Sequence, residues 1–133
     1  MAIKKLIDAA KDWLGMSKPV LAPPDRIARF SLTYNDLLIG TLSVKDGVWR
    51  FQYSDEFKRS DILRPLVEFP DVDKIYESDE LWQFFVSRIP STEQAEVEAI
   101  LKRENIAEDD AIGLLKRFGT RTINNPFKLN VAC

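Results

Sequence analysis

A chain of 133 residues with 45% hydrophobic and 30% charged side chains has the composition of one soluble globular domain with an apolar core. A net charge of −2 does not favour nucleic acid as a direct partner, and no apolar run approaches the roughly 18 residues of a membrane span. The chain has no histidine, which excludes Ser-His-Asp and Cys-His chemistry, and its one thiol, Cys133, can form neither an internal disulfide nor a metal cage.

Residues 1–15 carry the clearest helical periodicity. Ile3, Leu6, Ile7, Ala10, Trp13 and Leu14 share one face, Lys4, Lys5, Asp8, Lys11 and Asp12 lie largely on the other, and Gly15 is a natural stop. Asp8 and Asp12 are foreign to a secretory leader, so a cytoplasmic protein is expected. Residues 16–25, with Pro19, Pro23 and Pro24, read as an extended linker. The helix is thus an amphipathic arm that packs back on the body, docks on another protein, or lies on a membrane surface.

Residues 26–133 form the body. Strands are expected over Arg26–Tyr34, Leu37–Val44 and Val48–Tyr53, separated by turns at Asn35-Asp36 and Lys45-Asp46-Gly47. In the third strand Trp49, Phe51 and Tyr53 alternate with Val48, Arg50 and Gln52, which places all three aromatics on the core face. Acid-rich Ser54–Glu80 reads as a loop with short extended pieces. Helices are expected from Glu80 to Arg88, capped by Ser78 or Asp79, from Ser91 to Asn105, and from Asp109 to Phe118. One or two short strands follow over Thr120–Val131. The fold class is α+β: an antiparallel meander or small barrel-like sheet followed by a short helical bundle.

The five scattered glycines make no phosphate loop or dinucleotide fingerprint, and no catalytic-loop or metal-binding kinase triplet is present. The carboxylates of Asp71, Asp73, Glu77, Asp79, Glu80, Glu108, Asp109 and Asp110 lie in a polar loop or at a helix start, where acids are solvated or favour the helix dipole. Neither a catalytic residue, a cofactor nor a metal is expected.

Several segments in order resemble the N-terminal region of the HipA-type toxin kinases: the strand pair with Gly40 and Leu42, Phe51-Gln52-Tyr53, Leu81-Trp82-Gln83-Phe84-Phe85 with Ile89-Pro90, and the helix DDAIGLLKRFG. The resemblance runs over roughly Ile27–Leu129. It departs after Ser91, where a Glu-Gly often follows the proline, and after Gly119, where TRTINNPFKL replaces the family's Asp-Cys-x-Gly-Ala-rich strand. The resemblance implies a partner of a HipA-type serine/threonine kinase. Split systems contain HipS-like antitoxins, small proteins similar to this region that restrain a shortened kinase. A HipB-like DNA-binding protein is a further candidate member of such a complex. An obligate activating subunit of a split kinase and a DNA-associated module of a repressor complex are the rival readings.

For binding, Trp82, Phe84 and Phe85 crowd into four positions, which one narrow helical stripe cannot bury equally, so at least one is expected at the surface, with Trp82 the first choice. Trp13 on the arm is a further anchor. Lys116, Arg117 and Arg121 belong to an acid-free C-terminal stretch that follows the acidic segment Ser91–Asp110, an asymmetry able to steer a partner.

Overall fold

Two-residue alternation organises the first half of the chain. A computed structural model, describing residues 20–120 and 126–132, places β1 at Ala28–Tyr34, β2 at Leu37–Lys45 and β3 at Val48–Tyr53. Each strand runs antiparallel to the next, forming the expected meander. The β2–β3 turn uses Asp46 at φ 53 and Gly47 at φ 76, and Asn35 opens the β1–β2 turn at φ 52. Left-handed residues at these points give turns whose twist matches that of the strands. Trp49, Phe51 and Tyr53 are all at most 2% exposed.

The β1–β2 ladder slips between Leu32, which faces Gly40, and Thr33, which faces Leu38, leaving Ile39 as the extra residue of a bulge. Both Ile39 and Gly40 are buried. A Cβ on Gly40 would stand 2.5 Å from the Gln52 carbonyl oxygen and 2.9 Å from Phe51 Cζ, so the close approach of β2 to β3 demands glycine here.

Two short strands extend the meander. β4 (Tyr76–Ser78) joins β3 and β5 (Lys128–Val131) joins β1, giving the antiparallel order β4-β3-β2-β1-β5. The sheet is open and the barrel-like alternative does not form: its end strands β4 and β5 do not pair with each other among the described residues. Beyond β4, the Ala22 amide donates to Asp79 O (3.0 Å) and the Leu81 amide to Val20 O (2.7 Å). Beyond β5, the Leu129 amide donates to Thr120 O (3.0 Å).

Four short helices are described: α1 (Asp55–Lys58), α2 (Gln83–Val86), α3 (Ala95–Glu104) and α4 (Ala111–Phe118). Ser54 caps α1 by accepting from the Phe57 amide (2.9 Å), and Phe57 stacks on Tyr53. The helix expected from Glu80 to Arg88 is only the single turn α2, because pairing with residues 20–22 holds 79–81 extended. Ser78 Oγ accepts from the Glu80 amide in a turn and caps no helix. Asn105, left-handed at φ 58, ends α3, and Asp110 caps α4 by accepting from the Gly113 amide at 3.0 Å. Asp110 also pairs with Arg26, just ahead of β1.

α4 joins two cores. Ile112 and Leu115 enter the large cluster built on the sheet, while Leu114 meets Val97 and Leu101 of α3 in a smaller one. The arm over 1–15 and the first part of the 16–25 linker lie outside the described residues.

Candidate protein-binding surface

Tyr53 fixes the long loop after α1. Its hydroxyl donates to Phe69 O (2.6 Å) and accepts from the Leu66 amide (2.8 Å), and burial pushes its pKa up to about 12. Phe69, fully buried, then becomes an aromatic hub, with ring centroids 4.4 Å from Phe51, 5.0 Å from Tyr76 and 5.1 Å from Trp82. The same loop supplies Glu68, whose Oε1 accepts from the Phe84 amide at 2.7 Å. α2 needs that carboxylate, since the residue at its N-cap is Trp82, which has no side-chain acceptor.

This arrangement separates the three crowded aromatics. Phe85 points into the core and is 0% exposed. Trp82 and Phe84 flank it, each half-buried. Trp82 stands edge-on to Phe69, and Phe84 packs against Phe85 at 5.1 Å and Phe127 at 5.7 Å. One turn of helix thus sends one ring inward and leaves two with an outer edge in water.

A residue passed over in the sequence lies next to them. Arg88, 3% exposed, donates through Nη1 to Gly119 O (2.9 Å) and through Nη2 to Phe127 O (2.8 Å), with its guanidinium 5.6 Å from the Phe84 ring centre. Burial lowers its pKa to about 10, which leaves it charged at neutral pH. Arg88 therefore ties the aromatic surface to the end of α4. Its only sequence signal is a charge inside the apolar run Trp82–Ile89.

Lys116 and Arg117 are exposed on the last turn of α4. Arg117 Nε donates to both Glu104 oxygens, at 2.9 and 3.0 Å, so part of its charge is already answered by α3. Lys116 has no ion pair among the described residues. Trp13 and Arg121 lie outside those residues.

The acids serve local structure. Asp71 Oδ1 accepts from the Asp73 amide, Asp73 lies 3.7 Å from Lys58, and Glu77 lies 3.5 Å from Arg50. Among the described residues no three metal-type ligands come together, and no helix is long and apolar enough to cross a membrane.

Comparison with curated proteins gives no match. The family model of the HipA N-terminal domain matches residues 31–123, from β1 through α4 and into the segment beyond it. That span takes in the bulge glycine, the aromatic strand, the Trp82–Phe85 turn and the capped α4, and the chain belongs to the HipA N-terminal domain family.

Proposed function

We propose that this chain binds a HipA-type serine/threonine kinase toxin in the cytoplasm and restrains it, as the antitoxin of a toxin–antitoxin system. The family match carries the reading, since the HipA N-terminal domain is a non-catalytic subdomain of a toxin–antitoxin module. The binding surface is formed by the outer edges of Trp82 and Phe84, backed by buried Phe85, with the basic end of α4 (Lys116 and Arg117) beside it. Trp13 and Arg121, which lie outside the described residues, are further candidate contacts. Half-buried aromatics on a pinned turn suit an interface because their rotamers are already ordered, which lowers the entropic cost of docking.

The test is co-expression with a shortened HipA-type kinase, with affinity pull-down and growth as readouts. Co-purification with rescued growth supports the reading. Growth arrest that requires both chains makes this protein an activating subunit instead, and DNA retention without the kinase makes it a repressor module. Trp82→Ala is expected to weaken kinase binding about tenfold or more, the scale of an interface anchor. Its thermal melt, read alongside, separates lost contact from lost folding. A folded Trp82→Ala protein with full affinity removes this surface from the interface.

A further inference from the structure

The sheet has a second face, which the aromatic surface does not use. On it, Arg29 of β1 stands opposite Ser43 of β2, and Ser43 stands opposite Arg50 of β3. The next row along the same face is Ser31, Thr41 and Gln52. These strands floor an open depression of about 370 Å³ lined by Arg29, Thr41, Ser43, Arg50 and Gln52, and closed at one end by Tyr53, Ser54 and Asp55.

Neighbouring strands lie about 4.8 Å apart, so the two arginine backbones are roughly 10 Å apart and both side chains reach a group held above Ser43. The guanidinium of Arg29 meets no carboxylate among the described residues. Among the described residues Arg50 is answered only by Glu77, at 3.5 Å, with both side chains about half exposed. Asp55 lies beyond the Gln52 row, where it begins α1. The Arg29–Ser43–Arg50 row therefore gathers two like charges over one hydroxyl, with Glu77 paired to Arg50 alone and Asp55 at the far end of the depression.

We propose that this row binds the phosphate of a phosphoserine or phosphothreonine side chain presented by a protein segment. Guanidinium forks match phosphate oxygens bidentately, and the hydroxyls of Ser43 and Thr41 and the amide of Gln52 supply further donors. A phosphate dianion uses more of these donors than a carboxylate does. The depression is open and wider than a bare ion needs, which fits a group carried on a chain. The inference stands on the sheet register and is independent of the kinase reading.

The experiment is titration of the full chain with a phosphoserine peptide otherwise made of glycine and alanine. Its unphosphorylated and glutamate counterparts and inorganic phosphate serve as separate arms. The phosphopeptide is expected to bind best. Arg29→Ala and Arg50→Ala should each weaken it about tenfold or more, the scale of a charge-assisted hydrogen bond, without a large change in melting temperature. Glu77→Gln, by releasing Arg50, should tighten it. Equal binding of the unphosphorylated peptide, inorganic phosphate binding as tightly as the phosphopeptide, or indifference to Arg29→Ala each overturns the proposal.

Discussion

Tyr53 shows how a single polar atom can organise a long segment. Its hydroxyl both donates to and accepts from the backbone of the loop that presents Phe69 and Glu68. Tyr53→Phe keeps the ring but leaves the Phe69 carbonyl and Leu66 amide without this partner, at an expected cost of about 1–3 kcal/mol in a denaturant melt. Burial also makes the protein sensitive to alkali. The tyrosine ionises near 10.0 when unfolded and near 12 when folded. The native state thus holds the proton more tightly, and the associated stability is fully present below about pH 10 and is lost as the pH rises through 12. Tyr53→Phe should abolish that component of the alkaline loss, and an unchanged pH profile would refute the assignment. The opposite lesson comes from Arg88. A charge among the apolar residues of Trp82–Ile89 is the one local signal, and it does not identify the partners that bury it, because Gly119 and Phe127 come from 31 and 39 residues away.

Among the elements, α2 is the one that depends most on others. A single turn has little intrinsic stability, since helix nucleation is unfavourable and most helical stability in proteins comes from packing. α2 persists because Phe85 is buried and Glu68 accepts from the Phe84 amide. Glu68→Ala is expected to destabilise the protein by about 1 kcal/mol, in the range of a lost cap, with faster amide exchange at Phe84. Unchanged exchange there would show that packing alone holds the turn. α4 is more self-sufficient, with its own cap at Asp110 and basic residues in its last turn, and its span was readable from spacing and the leading acids. The boundary of α2 was not readable, because the competing pairing of 79–81 with 20–22 is invisible to any local pattern.

Across the molecule, the two cores differ in size and so in resistance to opening. The sheet cluster holds most of the buried aromatics, whereas the α3 cluster rests on Val97, Leu101 and Leu114. Local opening follows the density of buried contacts, so α3 should exchange its amides faster than β2 and β3. Leu101→Ala should deepen that difference, costing about 2–5 kcal/mol if α3 opens only with the whole domain and less if it frays alone. Equal exchange in α3 and β3 would make the domain one cooperative unit. The two outward surfaces then share a scaffold but not a face: the Trp82–Phe84 edge stands on the α2 turn, and the Arg29–Ser43–Arg50 row on the side of the sheet away from the core.

Alternation in Val48–Tyr53, the turn residues at Asn35 and Asp46-Gly47, and the acid-led α4 were enough to specify the meander and its core face. Each depends on neighbours within a few positions, and the order of these segments carried the family. The separation of Phe85 from Trp82 and Phe84, the burial of Arg88, the open sheet edges and the paired arginines required the folded chain. Each depends on contacts between residues distant in sequence: Glu68 with Phe84, Arg88 with Phe127, and Arg29 with Arg50 through Ser43. Spacing along one segment records none of these, because the partner's position is set by strand register and by how the loops close.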